Sequence, residues 1–417
     1  MDRTAVRRNR PDAAASRAGP WGAAVAGFSA TLVGLGLARF AYTPLLPAIV
    51  DAHWFDASLA AYLGAANLGG YLAGALGGRA MAGAVSARAA LRGMMVLATV
   101  AFVACAWPLS FAWFLVWRLL AGVAGGVLMV LAAPAVLPLF PPARRGLVGG
   151  IVFMGVGVGV AASGTLVPLL LGHGLRATWL GLGGLSALLT AAAWNGWPRT
   201  QAAAPVHAAR PAPSTPLRAL YLEYALNAVG WVPHMIFLVD FVARGLRQGV
   251  AVGAEYWVLF GIGATVGPVL AGALADRTGF GRALRIAFVL EACGVAVPAV
   301  GAGTVWLAAS SVVVGAFVTG TVPLVLGRIH EILAHHPSRH GAAWRTATVA
   351  FALFQAVAAY GMSYAFSASG GGYRALFVVG AGSIVLALLI DLAASARGPQ
   401  EASRAAVVAP SRQEPSR

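Results

Sequence analysis

The sequence predicts an all-α polytopic membrane protein with twelve transmembrane helices in two pseudo-symmetric six-helix bundles. Three observations carry this. Of the 417 residues, 59% are hydrophobic and only 10% charged, whereas a soluble chain carries about a quarter charged residues to clothe its surface. The apolar residues come in blocks that can cross a bilayer, which takes about 20 residues at 1.5 Å each. Residues 72–79, LAGALGGR, and 270–277, LAGALADR, agree at six of eight positions at an offset of 198, and Gly69 and Gly267 extend the match. A repeat whose copies each hold several spans is how duplicated transporters are built.

In order, spans are expected at 21–49, 57–78, 89–108, 111–139, 146–171 and 177–197. After a break they resume at 217–242, 250–275, 283–300, 304–326, 343–366 and 374–394. Only Pro108-Leu109-Ser110 separates the third from the fourth. Residues 1–20 form a basic tail, and the bundles cover 21–197 and 217–395. The break at 198–216, PRTQAAAPVHAARPAPSTP, has no helical period and reads as a flexible linker. Residues 396–417 have similar composition and are expected to be disordered.

All 29 basic residues are arginines and the net charge is +16. The arginines lie between the apolar blocks without a basic face, so nucleic acid is not an expected partner. Arg176, Arg244, Arg247 and Arg374 fall in connections on one side of the membrane. Two arginines fall within spans, and the rest lie on the side of the termini. The positive-inside rule then puts both termini in the cytoplasm, as in a multi-pass protein of a bacterial inner membrane. The first apolar run is too long for a signal peptide and should remain as the first span. Cys105 and Cys293 lie inside apolar blocks and read as packing residues.

An ionisable group in the bilayer costs at least about 2.5–3.5 kcal/mol and is a functional candidate by default. Arg39 in the first span and Arg118 in the fourth qualify. Each meets an acid across a pathway, meets an anionic substrate, snorkels to the outer surface, or hydrogen-bonds backbone carbonyls. The seventh span, YLEYALNAVGWVPHMIFLVDF, places Glu223, Asn227 and His234, with Trp231 beside them, on one stripe. Pro233 should kink it at mid-membrane. Glu223 and His234 are the candidate proton carriers, although Glu223 could sit at the headgroup edge and His234 could be merely hydrogen-bonded within the bundle. Asp240 and Glu255 read as solvated outer groups, Glu291 as a pairing group between helices, and Asn67 as interhelical glue. Gln355 and Tyr360 suit substrate hydrogen bonding, as does Tyr42. His330, His335, His336 and His340 cluster between the tenth and eleventh spans, but Pro337 interrupts them and no further ligand completes a metal set. No metal, cofactor or catalytic constellation is expected, and the chain does not read as an enzyme.

Gly272-x-x-x-Asp276-Arg277-x-Gly279, followed by Arg282, resembles the loop signature of the major facilitator superfamily (MFS) between helices 8 and 9. The run Gly36-Leu-Ala-Arg39-Phe-Ala-Tyr42-Thr-Pro44-Leu-Leu-Pro47 resembles the YbfB/YjiJ branch, as do GWVPHMIFLVDF and the loop just named. The R-x-x-x-G pattern at Arg118 and Gly122 resembles the motif whose arginine faces the cavity in proton-coupled members. The glycine run of the fifth span, with Gly155, Gly157, Gly159 and Gly164, resembles that of antiporters only in part. The resemblance implies alternating access between two bundles and a proton motive force as energy source, with the loop signature as a cytoplasmic gate latch. One departure is Gly78 in the first copy where the second has Asp276, so the latch should depend on the second half or on Arg79 alone.

The expected function is secondary active transport of a small organic solute, proton-coupled. Arg39 and Arg118 would hold an anionic or polar substrate, with Tyr42, Asn227, Trp231, Gln355 and Tyr360 around it. A proton-linked exporter of hydrophobic or cationic compounds is the alternative, and a polytopic receptor or membrane enzyme is a remote one. The expected partners are substrate, protons and the lipid bilayer, with the chain acting as a monomer.

Overall fold

A computed structural model describes residues 19–141, 144–198, 214–301 and 303–408. Most of the expected basic tail, most of the linker, and residues 409–417 of the final tail lie outside the described residues. The helices are α1 (Gly19–Thr31), α2 (Tyr42–Asp51), α3 (Ala57–Val85), α4 (Ala87–Ala104), α5 (Phe111–Val136), α6 (Arg145–Leu171) and α7 (Leu175–Ala193) in the first half. The second half has α8 (Thr215–Gly230), α9 (Val232–Asp240), α10 (Gly249–Thr278), α11 (Phe280–Val300), α12 (Thr304–Ile332), α13 (His340–Ala368) and α14 (Arg374–Val408). No strand occurs among the described residues. Among the described residues, eleven stretches are long and apolar enough to cross a membrane. The twelfth is α7, whose hydropathy is lowered chiefly by Arg176, but it packs beside α1 and α4 as a sixth span.

The first span is broken where a single helix over 21–49 is expected. Leu32–Leu37 winds as a π-helix, with Ala38 and Phe40 donating five residues back to Val33 and Leu35 at 2.9 and 3.2 Å. Pro44 has no N–H for the Phe40 carbonyl and its ring crowds it. That carbonyl accepts from Thr43 instead, at 3.2 Å. The seventh span divides in the same way, with Trp231 between α8 and α9 just ahead of Pro233. These two are the most enclosed spans, 78% and 83% buried.

Three helices outrun their expected ends. α3 continues past Arg79 to Val85, so Arg79 lies inside a helix and not in a loop. α12 continues through His330, and α14 runs to Val408, into the tail expected to be disordered. A helix nucleated by a membrane span adds alanine, arginine and glutamate at little cost; Pro399 within α14 is the exception, having no N–H to give.

The duplication is in a different register from the LAGAL match. Cβ atoms built on Gly70, Gly74 and Gly122 would strike the carbonyl oxygens of Leu119, Val123 and Asn67. Those built on Gly263, Gly267 and Gly315 would strike the carbonyls of Val312, Ala316 and Phe260. Each of these six residue pairs is related by 193, not 198. The turns agree: Ser86 and Gly279 carry φ/ψ of 91/148° and 80/154°, a left-handed region that favours glycine. The counterpart of Asp276 is therefore Gly83. The apolar LAGAL repeat is displaced because many registers of a Gly/Ala-rich helix satisfy a lipid-facing surface.

The halves meet along two long diagonals, α3 on α13 and α6 on α10, and at one end through α2 on α9. Gly157 against Thr265 and Gly261 against Ala161 bring α6 and α10 into backbone contact. By contrast α1 and α8, the other halves of the broken spans, pack extensively only within their own bundles. The central path is thus shut at the end carrying the 52–56 connection, hereafter the distal end.

Candidate functional site

Arg39 sits in the irregular turn of the first span, with 7% of its surface exposed. Its Nη2 donates to Gln355 Oε1 of α13 at 2.5 Å and approaches Met235 Sδ of α9 at 3.2 Å. The guanidinium lies 5.1, 5.0 and 5.5 Å from the ring centres of Phe40, Tyr71 and Trp231. Its Nε and the Gln355 Nε2 have no partner. No acid pairs with it among the described residues. Three ring faces stand in for water, each such contact being worth about 2 kcal/mol when desolvated. Thr43, one turn further on, donates to the Met235 carbonyl and so ties α2 to α9. Arg39, Trp231 and Gln355 therefore come together between the halves. The neutral residues Thr43, Tyr71 and Met235, which the sequence did not single out, complete the setting.

Arg118 is not beside Arg39 in a shared pathway. It is 2% exposed within the first half, donates from Nη1 to the Ala38 carbonyl at 2.8 Å, and lies 4.3 Å from the Tyr42 ring centre. Tyr42 donates to the Ala60 carbonyl at 2.7 Å, and Asn67 donates to the Arg118 carbonyl at 3.2 Å. Unwinding at the broken turn leaves the Ala38 carbonyl available, and the arginine braces it. The crevice beside it, too narrow to hold a water molecule, is lined by Ala98, Ala101, Phe102, Cys105 and Trp179, all of the first half.

The stripe on the seventh span also divides. Trp231 faces Arg39, while Asn227 donates to Glu291 Oε2 of α11 and His234 lies 2.9 Å from Ser310 Oγ of α12. Ser310 gives its one hydroxyl proton to the Gly294 carbonyl at 2.6 Å, so His234 Nε2 must be the donor and Nδ1 is left bare. Glu223 is 2% exposed, within electrostatic reach of Asp391, Arg328 and Arg285. Glu223, Asn227 and His234 thus face the interior of the second half, not a common cavity wall. One helical stripe can face a bundle's own core as readily as a pathway, and the packing of α11, α12 and α14 on this span decides which.

Other candidates move as well. Tyr360 is 38% exposed, packs on Gly69 where α13 crosses α3, and makes no hydrogen bond to Arg39. Asp240 is fully buried, held by Arg244 at 2.5 and 2.8 Å and by the Tyr373 hydroxyl at 2.7 Å, not solvated. Asp276, Arg277 and Arg282 are exposed and form no ion pair among the described residues. The contact across their turn comes from Glu331, which accepts from the Phe280 N–H at 3.1 Å and pairs with Arg328 at 2.9 Å. Gly279 supplies the expected turn and Gly272 has open space around it. His330 and His340 stack at 4.3 Å. No group of three metal-ligating residues occurs among the described residues.

Over residues 31–392 the chain matches the family model described as "Uncharacterised MFS-type transporter YbfB". Among solved structures it is similar to the xylose transporter XylE from E. coli in a partially occluded inward-open conformation, with TM-score 0.67 and 14% identity over 89% of this chain and 96% of that one. It is also similar to a D-xylose–proton symporter, with TM-score 0.64 and 15% identity over the same shares. At such identities the likeness shows the fold. No curated protein matches the sequence. A duplicated helical fold with broken first and seventh spans, and a family match over most of its length, make this chain a member of the YbfB-type family of MFS transporters: a polytopic membrane secondary transporter and not an enzyme.

Proposed function

We propose that the protein moves a small organic solute with an anionic or strongly polar group, coupled to protons, and that Arg39 is its principal contact. The observation that carries this is a guanidinium between the two halves whose side-chain acceptors, Gln355 and Met235, are both neutral, with no counter-ion among the described residues. A charge in that setting gains most from an arriving anion, which would also engage the free Nε2 of Gln355 and stack on Trp231. Arg118 and Tyr42 act indirectly in this reading, by holding the turn that aims Arg39. The arginine distribution favours a cytoplasmic side for the termini and for the end away from the α2–α9 contact, in a bacterial inner membrane. Thr43, Met235, Arg39 and Gln355 then close the outer side. The proton is carried by a buried ionisable group on or around the seventh span, where Glu223, His234 and Glu291 lie. One of the fold neighbours is a proton symporter by its title, which supports coupling without naming a substrate here.

The test is a thermal-shift screen of the purified protein against panels of organic anions, organic cations and neutral sugars. Stabilisation by members of the anion panel, abolished in Arg39→Ala and weakened in Arg39→Lys, is expected. Stabilisation by cations or sugars alone, or an unchanged response in Arg39→Ala, removes the anion site and favours the exporter or a sugar carrier.

A further inference from the structure

Glu291 is the one buried ionisable side chain on α11 that neither an ion pair nor the Arg39 site accounts for. It is the twelfth of the helix's 21 residues, at mid-membrane, and fully buried. Oε2 accepts from Asn227, and Oε1 has no partner. The charged and titratable groups of the surrounding elements stand away from it. On α8, Glu223 is one turn before Asn227, with Arg218 near the helix start. Across α14, Asp391 is bonded to Arg285 and Arg285 also to Ser395. Arg285 is six residues along α11, about 9 Å. Arg328, His330 and Glu331 are at the far end of α12, and Glu255, Asp276 and Arg277 are near the ends of α10. On α9, His234 is held by Ser310. No cation among these forms a pair with Glu291.

Packing does not require an acid there. At the offset of 193 the counterpart of Glu291 is Ala98 on α4, and that of Asn227 is Gly34. The same fold is therefore built in the first half with neither side chain. The acid also occupies a mechanically sensitive place. Asn227 lies on α8 just before the break at Trp231, and His234 on α9 just after it. Both are tied to α11, through Glu291 and through Ser310 to Gly294, one turn apart. The two tethers straddle the joint that carries Trp231 against Arg39.

We propose that Glu291 is the proton-binding site of the transport cycle and that Asn227 transmits its occupancy to the joint at Trp231. A carboxyl with a single donor and no cation is accommodated here as the neutral acid. Loss of its proton to water entering from an open side leaves a carboxylate that needs a second donor. That donor is gained only by moving α8 and its amide or by admitting water, and either opens the joint. Rebinding a proton reverses the change. This deepens the proton-coupled reading above and rests on it.

Protons are the probe, so the substrate need not be known. Wild type, Glu291→Gln, Glu223→Gln and Asn227→Leu are reconstituted in lipid vesicles, and infrared pH-difference spectra are recorded for the protonated-carboxyl carbonyl stretch. In parallel, spin labels at Leu109→Cys and Val305→Cys, with Cys105 and Cys293 replaced by serine, report the distance between the halves at the distal end against pH. The expected result is a carboxyl band lost in Glu291→Gln and kept in Glu223→Gln. The distance should respond to pH in wild type, be pH-independent in Glu291→Gln, and be uncoupled in Asn227→Leu although its band persists. Glutamine keeps the acceptor for Asn227, so this variant retains the fold. A wild-type distance that responds to pH and an identical response in Glu291→Gln would overturn the assignment while leaving proton coupling intact. A wild-type distance indifferent to pH would overturn both.

Discussion

Consider adding one methyl group at Gly122. A Cβ there would lie 1.9 Å from the Asn67 carbonyl oxygen, 2.8 Å from its carbon and 2.9 Å from the Tyr71 nitrogen. These are backbone atoms of α3 and cannot swing aside. Carbon and oxygen approach no closer than about 3.3 Å, so α3 and α5 must part by about 1.4 Å. Overpacking of this kind costs about 1–3 kcal/mol. The Asn67 bond to the Arg118 carbonyl, 3.2 Å long, stretches beyond use and adds about 0.6 kcal/mol, the average for bonds between membrane helices. The gain in helix propensity returns at most about 1 kcal/mol. Gly122→Ala should therefore destabilise by about 1–3 kcal/mol. Gly315→Ala, whose Cβ would lie 2.0 Å from the Phe260 carbonyl, should do the same in the other half. Gly77 has nothing within 4 Å, and Gly77→Ala should be neutral or stabilising by up to about 1 kcal/mol. Reversible unfolding by SDS in mixed micelles, followed by circular dichroism, measures all three. Equal midpoints for Gly122→Ala and Gly77→Ala would refute the close-packed α3–α5 contact, and a tolerant Gly315 would refute the register of 193.

Thr43→Val removes the bond to the Met235 carbonyl that closes the distal end, so the label pair at Leu109 and Val305 should show a longer mean distance; an unchanged distribution counts against that closure. Asp240→Asn should cost about 1.5–3 kcal/mol by losing charge-assisted bonds to Arg244, and Tyr373→Phe about 0.5–1.5 kcal/mol, both read by the same SDS titration, where wild-type midpoints would show the cluster to be idle. Asp276→Asn should impair transport far more than Gly83→Asp once a substrate is in hand, and comparable activity would remove the asymmetry of the gate. Glu331→Gln should weaken the α11 start, seen as faster amide exchange at Phe280; unaltered exchange excludes the cap.

The twelve spans were legible because a bilayer imposes a length and a hydrophobicity that any reading of the chain detects. The kinks were partly legible: Pro233 marks the seventh break, whereas Pro44 marks the first only after the π-helix ahead of it is seen. Arg39 and Gln355 could be named as candidates because charge and amide are conspicuous among apolar residues. Their meeting could not, since 316 residues separate them. Arg118 and His234 were equally conspicuous and turned out to serve the interiors of their own bundles.

By itself the sequence determined that the chain must live in a membrane, how often it crosses, that it is duplicated, and which polar side chains have to be accounted for. Composition and local period suffice for that, because solvent and backbone impose them on every segment independently. Only the tertiary structure decided the true register of the duplication, the facing of each polar residue, and the lone partner of Glu291. Those depend on which helix lies opposite, and a helical stripe carries no record of its neighbour.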